Sequence, residues 1–215
     1  MRSFEFSFKH QNLVLDPLKA IFWVEQSLLI LSDLHLGKAG HFRKNGIAVP
    51  VDIHQRDLIN LNYLIDRYQP KTIAFLGDLF HSDLNAEWNT FSNWMGNQRV
   101  EMILVKGNHD ILSENIYKSS KMKVCDDLMI EPFHFSHEQK ESALYNISGH
   151  VHPSIRLRGR AKQGVTIPCF YFSKDHGLLP AYGAFTGTYK IRPVMGDHVF
   201  ATTGEEVIAI MPQKA

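Results

Sequence analysis

The sequence predicts an α/β layered fold with two sheets. Three short apolar runs, at 27–31, 71–76 and 100–105, are continuous rather than alternating, as in strands buried on both faces. Apolar residues at helical spacing lie between these runs, at 58–68 and 88–95. Strand–helix–strand alternation of this kind indicates parallel βαβ units.

Further strands are predicted on both sides of this unit. Near the N-terminus, Phe4, Phe6 and Phe8 alternate with polar residues, which indicates a half-buried strand. The second half of the chain is richer in strands, and its Gly-, Pro- and aromatic-rich stretch at 174–196 predicts ordered loops. The other predicted strands are 13–15, 21–24, 144–148, 165–172, 199–201 and 206–210.

Bulk properties exclude several classes of protein. The formal net charge is +1, so nucleic-acid binding cannot be inferred from overall charge. Cys125 and Cys169 are isolated, which predicts buried thiols rather than a disulfide framework or a thiolate metal site. The N-terminus lacks the apolar run of a signal peptide, and no stretch approaches the ~20 apolar residues of a membrane span. We therefore expect a cytoplasmic protein with a single domain over residues 1–215.

Each of the three buried runs ends in polar residues. Ligands of parallel α/β sheets bind beyond the carboxyl ends of the strands, so we expect these polar groups in one crevice. A single buried Asp or His at a strand end is more often a cap or a satisfied core group, but three coincident clusters favour a functional site. The clusters are Asp33 with His35, then Asp78, then Asn108 with His109 and Asp110.

The types and spacing of these residues favour divalent metal ions. Asp33 and His35 are two residues apart, so in extended backbone both side chains face the same way. His150 and His152 repeat this spacing. Oxygen and nitrogen ligands without thiolate suit Mn²⁺, Fe²⁺ or Zn²⁺ better than Ca²⁺. The candidates exceed the needs of one ion, which favours two ions ~3.5–4 Å apart that share a carboxylate.

Together, these motifs resemble the calcineurin-like metallophosphoesterases. The resemblance is carried by residues 33–35, 77–78, 107–110 and 149–152. It implies a four-layer αββα sandwich of two mixed sheets and a centre of two divalent ions that share Asp78. One ion would be held by Asp33, His35, Asp78 and His152, and the other by Asp78, Asn108, His137 and His150.

Two assignments in this centre depend on local context. His134 is an alternative to His137, but His137 precedes Glu138 as in related sequences, and we therefore favour His137. The two ions would lower the pKa of a bridging water, and the resulting hydroxide would attack phosphorus in line. We expect His109 to assist by stabilising the transition state or protonating the leaving oxygen, with Asp110 or another carboxylate orienting its ring.

A closer resemblance is to the ICC-like branch of this family, and within it to the ligase-associated DNA-damage-response phosphoesterases. It is carried by residues 33–38, 41–43, 151–160 and 179–187. It implies a phosphodiesterase or nuclease, including endonuclease action, with Mn²⁺ as the expected metal and DNA or a nucleotide phosphodiester as substrate. It also implies a functional link to a DNA ligase and a helicase in DNA repair.

Basic residues that follow two of the metal motifs are candidates for phosphate binding. The alternative for such a stripe is a solvated basic edge that discourages strand pairing. Aromatic residues at 171, 182, 185 and 189 are candidates for base stacking, with packing in the core or loops as the alternative. The basic candidates are Lys38, His41 and Arg43 after the first motif, and Arg156, Arg158 and Arg160 after the last.

Two rival functions are compatible with these residues. One is hydrolysis of a small nucleotide or a phosphomonoester at the same metal centre. The other is a non-catalytic scaffold of the same fold, since a fold alone does not imply an activity. The metal motifs and His109 are all intact, which argues against the scaffold.

Overall fold

The computed structural model of the chain describes residues 1–38, 53–80, 86–158, 163–184 and 186–211. Two mixed β-sheets dominate this part of the chain. They pack face to face, since one hydrophobic cluster takes side chains from both. Among the described residues, no helix combines the length and the apolar character that a membrane crossing requires.

The first sheet has its strands in sequence order and provides the frame for the three polar clusters. Its strands are β1 (Phe4–Phe8), β2 (Gln11–Leu15), β3 (Ile21–Trp23), β4 (Leu28–Leu31), β5 (Thr72–Leu76), β6 (Glu101–Val105) and β7 (Met122–Cys125). Strands β1 to β4 pair antiparallel, and β4 to β7 pair parallel. The parallel strands are connected through helices α1 (Ile53–Tyr68), α2 (Ala86–Gly96) and α3 (Glu114–Ser119).

The second sheet contains the strands of the second half of the chain. They are β8 (Leu128–Ile130), β9 (Phe133–Ser136), β10 (Tyr145–Ser148), β11 (Pro153–Arg158), β12 (Gly164–Phe172), β13 (His176–Leu178), β14 (Tyr189–Lys190), β15 (His198–Thr202) and β16 (Val207–Ile210). The order is β14-β11-β12-β13-β10-β9-β8, and β15 pairs with both β12 and β16. Strand β10 is parallel to β9 and β13, whereas β11 is antiparallel to β12.

The continuous apolar runs have a simple structural origin. In β4, Leu29 and Leu31 pack with the helices on one face, whereas Leu28 and Ile30 pack against the second sheet on the other. A strand buried on both faces cannot alternate with polar residues. The helices bury their apolar sides in the same cluster as Leu29, and Phe91 of α2 is among them.

The predicted fold class is confirmed, and most predicted strands and both predicted helices are observed. The stretch at 174–196 was expected to be loops, but it contains the short strands β13 and β14. Strands β7, β8, β9 and β11 and helix α3 were not predicted. Each has only three to six residues, too few to establish a periodicity. Both cysteines are free thiols, with Cys169 buried and Cys125 half-buried.

Candidate metal centre

The carboxyl ends of β4, β5 and β6 deliver the first ligand candidates. These strands are parallel and in register, so their following loops lie side by side. Two backbone hydrogen bonds join the first two loops, from Asp33 N to Gly77 O at 3.1 Å and from His35 N to Asp78 O at 2.9 Å. The backbone thereby sets the distance between Asp33 and Asp78 before any ion is considered.

Several ligand candidates have left-handed backbone conformations. The φ angles are 55° at Asp33, 49° at His35, 49° at Asp78, 62° at His150 and 53° at His152. The extended backbone expected for the Asp33–His35 and His150–His152 pairs is therefore wrong. These side chains converge because the chain turns sharply at each residue. Such conformations cost about 1–3 kcal/mol each outside glycine and cluster at functional sites.

The first metal group consists of Asp33, His35 and His152, whose ligand atoms all lie within 4.8 Å of one another. The Nδ1–H of His152 donates to Gly187 O at 2.9 Å, which leaves a lone pair on Nε2. This Nε2 lies 3.2 Å from Oδ1 of Asp33, and both atoms are buried without a hydrogen-bond partner. Two lone pairs that face each other in the interior call for a cation, so these residues fit a metal ion.

A proton could occupy the same position as the metal ion. Burial lowers the pKa of His152, but the nearby Asp33 carboxylate and the Gly187 carbonyl together outweigh burial, and the pKa is raised. Burial likewise would raise the pKa of Asp33, but the contact with His152 holds it below the ordinary value. Metal binding at this group therefore competes with protonation of His152 and weakens as the pH falls.

The second metal group consists of Asp78, His137 and His150 and meets the same distance criterion. The Nδ1–H of His137 donates to Leu76 O at 3.0 Å, so its Nε2 carries the lone pair. That Nε2 lies 3.3 Å from Oδ1 of Asp78 and 3.1 Å from Nδ1 of His150. The three acceptor atoms converge as the ligands of an ion do.

Asp78 stands between the two groups. Its Oδ2 lies 3.8 Å from Nε2 of His35 in the first group, whereas its Oδ1 faces His137 in the second. The backbone N–H of His109 donates to Oδ1 at 2.9 Å and helps to hold the carboxylate in this orientation. The arrangement suits one carboxylate shared by two ions.

A comparison with known proteins decides the family. A sequence model of the calcineurin-like phosphoesterase family matches residues 27–192. The chain belongs to this family. It is therefore a metal-dependent hydrolase of phosphoester bonds, from a family of dinuclear metal enzymes. A search of curated proteins found no match.

Two solved structures share features with this phosphoesterase. The crystal structure of Pseudomonas putida nuclease MPE has a TM-score of 0.83 and 27% sequence identity, and the match covers 97% of this chain and 100% of that chain. YfcE, a phosphoesterase from E. coli, has a TM-score of 0.45 and 13% identity, over 86% of this chain and 99% of that chain. The first comparison supports the overall fold described above.

Glycines next to the ligands of this phosphoesterase leave no room for a side chain. Gly77 has a φ of 78°, and a Cβ atom there would overlap the imidazole ring of His137. A Cβ atom at Gly149 would overlap Oδ2 of Asp33, the same oxygen that accepts a hydrogen bond of 2.9 Å from the backbone N–H of His150. The close approach of the loops that carry the two metal groups requires glycine at both positions.

Asn108 and Glu138 form a contact that the sequence did not predict. The side-chain Nδ2 of Asn108 donates to Oε1 of Glu138 at 2.6 Å, and the same oxygen lies 3.8 Å from Nε2 of His150. The hydrogen bond lowers the pKa of the Glu138 carboxyl. In the sequence, the only indication that Glu138 belongs to the site is its position directly after His137. In the sequence alone, that position serves only to favour His137 over His134.

The two histidines considered for the second group have different surroundings. His137 belongs to the second metal group, whereas Nε2 of His134 lies 3.0 Å from Oδ1 of Asp127. Asp127 also accepts a hydrogen bond of 2.7 Å from Lys140 Nζ. His134 thus takes part in a polar cluster away from Asp78.

The neighbouring residues His109 and Asp110 have different surroundings. The His109 ring is 49% exposed, and its Nε2 lies 4.0 Å from Oδ2 of Asp78, at the open side of the centre. Asp110 is buried, which raises its pKa to about 6. Its carboxylate accepts backbone N–H groups of Leu79, Phe80 and Gly107. Asp110 therefore joins the loops after β5 and β6.

The structure describes only part of the predicted phosphate-binding set. Lys38 lies close enough to His152 for its positive charge to oppose protonation of that ring. Arg156 is exposed on β11. The other candidates lie outside the described residues, namely His41, Arg43, Arg160 and the side chain of Arg158.

The predicted stacking residues divide into two types. Tyr182 is buried in the core cluster and donates through its hydroxyl to Asp57 O at 3.3 Å. Tyr171 donates to Asp197 Oδ2 at 2.8 Å, so both tyrosines are engaged within the protein. Tyr189 is 64% exposed, and Phe185 lies outside the described residues.

Proposed function

We propose that this protein is a two-metal phosphodiesterase that cleaves DNA. The observation that supports this proposal most directly is the position of Asp78 between two groups of ligand atoms. We assign one ion to Asp33, His35, Asp78 and His152, and the other to Asp78, Asn108, His137 and His150. Mn²⁺ is the proposed metal, and Fe²⁺ and Zn²⁺ are alternatives that the same oxygen and imidazole donors suit.

The chain contributes orientation, charge balance and a proton donor. When bound, two divalent ions stabilise negative charge on the phosphoryl oxygens and lower the pKa of an attacking water. Asn108 is a neutral ligand, which limits the negative charge around the ions. His109 projects from the same loop at the solvent side, where its imidazolium can donate a proton to the leaving oxygen.

Three features support DNA as the substrate: the centre is open to solvent, basic residues lie near it, and the chain is similar to a nuclease. His109 and His150 are both exposed in part, so a chain-like substrate can reach the centre from solvent. Lys38 beside the first metal group and Arg156 on β11 supply positive charge for phosphates that flank the scissile bond. The nuclease of Pseudomonas putida supports a polymeric substrate. The resemblance to repair-associated phosphoesterases motivates the proposed functional link to a ligase and a helicase.

The decisive test compares three substrates in one assay. Metal-stripped protein is supplied with Mn²⁺ and given circular and linear DNA, a chromogenic phosphodiester and the matching monoester. Asp78→Asn removes the shared carboxylate, and Asp66→Asn, an exposed residue of α1, is the matched control. We expect DNA cleavage by the wild type and the control, together with loss of both metal and activity in Asp78→Asn. Nicking of circles would identify endonuclease action.

Two results would contradict the proposal in different ways. Hydrolysis of the chromogenic esters with all DNA intact would keep the metal centre but move the substrate to small nucleotides or monoesters. A metal-replete and active Asp78→Asn variant would show that Asp78 is not the shared ligand.

A further inference from the structure

One stretch of the C-terminal half contacts both loops that carry the first metal group. We call residues 181–184 and 186–189 the bracing segment. At its beginning, Ala181 forms a parallel bridge with Ser32. The backbone N–H of Tyr182 donates to Ser32 O at 2.9 Å, and that of Gly183 donates to Asp33 O at 3.1 Å. These bonds hold the strained turn that presents Asp33.

The other end of the bracing segment holds His152. The carbonyl oxygen of Gly187 accepts from His152 Nδ1–H, and the backbone N–H of Tyr189 donates to His152 O at 2.9 Å. Strand β14 then continues parallel to β11, with Tyr189 opposite Pro153. The segment therefore fixes both the ring and the backbone of His152.

Within the bracing segment, Gly183 leaves no room for a side chain. A Cβ atom at this position would overlap the carbonyl oxygen of Leu34, between Asp33 and His35. The overlap involves backbone rather than a flexible side chain, so a substitution must displace the loop itself. Gly96 at the end of α2 offers a contrast, because a Cβ atom there meets nothing within 4 Å.

A half-buried lysine, Lys19, anchors the bracing segment. Lys19 Nζ donates to Tyr182 O at 3.1 Å. Burial lowers the pKa of Lys19, while the charge of Asp57 opposes that shift. The ammonium group thus binds the carbonyl next to Gly183.

The second metal group is held by other parts of the chain. His137 is oriented by Leu76 O, and Asp78 accepts the backbone N–H of His109. The backbone N–H of Gly149 donates to His137 O at 3.1 Å. The rings of the second group and the Asp78 carboxylate are thus oriented by contacts outside the bracing segment, and the backbone N–H of His150 connects the two groups through Oδ2 of Asp33.

We propose that the bracing segment is a positioning element that sets metal affinity at the first metal group much more strongly than at the second. The inference rests on the two-metal centre of the proposed function. Gly183 acts through the Leu34 carbonyl, and Lys19 acts through the Tyr182 carbonyl. Neither residue contacts substrate or metal in this account.

The test measures metal binding rather than activity. Wild type, Gly183→Ala, Lys19→Met and the control Gly96→Ala are stripped of metal and titrated with Mn²⁺ by equilibrium dialysis. We expect the dissociation constant of one Mn²⁺ to rise on the order of tenfold or more in Gly183→Ala, with the other unchanged within about twofold. Lys19→Met should change the same ion in the same direction by less. Gly96→Ala should match the wild type.

Magnetic coupling between two bound Mn²⁺ ions provides a second readout. Gly183→Ala should lose the spin-coupled signal at metal concentrations where the wild type shows it, and should regain it at higher Mn²⁺. Equal weakening of both ions, or no change in either, in the folded variants would overturn the inference. If Gly183→Ala does not fold, Lys19→Met decides by the same criterion. Failure of the wild type itself to bind two Mn²⁺ ions would instead refute the metal centre.

Discussion

The carboxylate of Glu138 accepts a hydrogen bond from the side-chain nitrogen of Asn108 at 2.6 Å. The bond fixes which end of the amide faces Glu138, so the oxygen of Asn108 is directed elsewhere. Because the same Glu138 oxygen lies 3.8 Å from Nε2 of His150, the contact connects Asn108 with a ligand candidate of the second metal group. Partners of this kind, one step removed from the ion, tune metal affinity by about 10–100-fold.

Replacing Glu138 should therefore weaken one metal ion. In Glu138→Ala, we expect the dissociation constant of one Mn²⁺ to rise about tenfold, because the amide of Asn108 becomes free to rotate. Glu138→Gln retains an acceptor oxygen and should have a smaller effect. Equilibrium dialysis measures both, with the exposed Glu141→Ala as control. Unchanged binding in Glu138→Ala would show that the contact does not orient a ligand.

His137 and His134 form a matched pair within the chain. Both are buried, but only His137 belongs to a metal group. We expect His137→Gln to lose one of two bound ions and His134→Gln to keep both. The latter should reduce stability, since it disturbs the contact with Asp127. Metal content by atomic spectroscopy and urea unfolding distinguish the two effects, and the reverse metal result would assign the ligand to His134.

His109 is expected to act in the chemical step only. His109→Asn should retain two metal ions while kcat falls about 10²–10⁴-fold, the usual contribution of a general acid. The exposed His10→Asn is the control, because asparagine tolerates the φ of 60° at that turn. Full turnover in a metal-replete His109→Asn would eliminate the proposed proton donor.

The raised pKa of Asp57 should make the free energy of unfolding of the protein depend on pH. Burial raises the pKa of this carboxyl to about 7, against the opposing charges of Lys19 and Arg56. In the folded state this carboxyl therefore stays protonated up to a higher pH than in the unfolded state, where its pKa is near the ordinary value of 3.8. It follows that this group lowers the free energy of unfolding as the pH rises from about 4 to about 7.

The corresponding experiment compares urea unfolding of the wild type and Asp57→Asn at pH 5 and pH 8. The wild type should lose about 3 kcal/mol relative to the variant over this interval, from two pH units at 1.36 kcal/mol per pKa unit. Asp66→Asn, at an exposed position of the same helix, should follow the wild type. Parallel pH profiles for the wild type and Asp57→Asn would mean that Asp57 is ionised in the folded state.

Local patterns in the chain were sufficient to predict the parallel strands that precede Asp33, Asp78 and Asn108. The run at 28–31 is apolar on both faces because helices and a second sheet cover it, and burial of both faces requires an apolar residue at every position. The short strands β8 and β9 show no comparable pattern of residue types. Their identity depends on pairing with residues elsewhere in the chain rather than on their own periodicity.

The family and the fold class could be inferred from the chain alone. The convergence of the strand-end motifs could be inferred as well, because the carboxyl ends of neighbouring parallel strands lie at the same edge of the sheet. How these side chains are held in position depends on the tertiary structure. The oxygen that orients His152 comes from 35 residues away, and the one that orients His137 from 61 residues away. The left-handed turns at Asp33 and His152 likewise persist only because distant backbone groups constrain them. Contacts between such distant residues leave no periodicity or spacing in the chain, so only the folded structure reveals them.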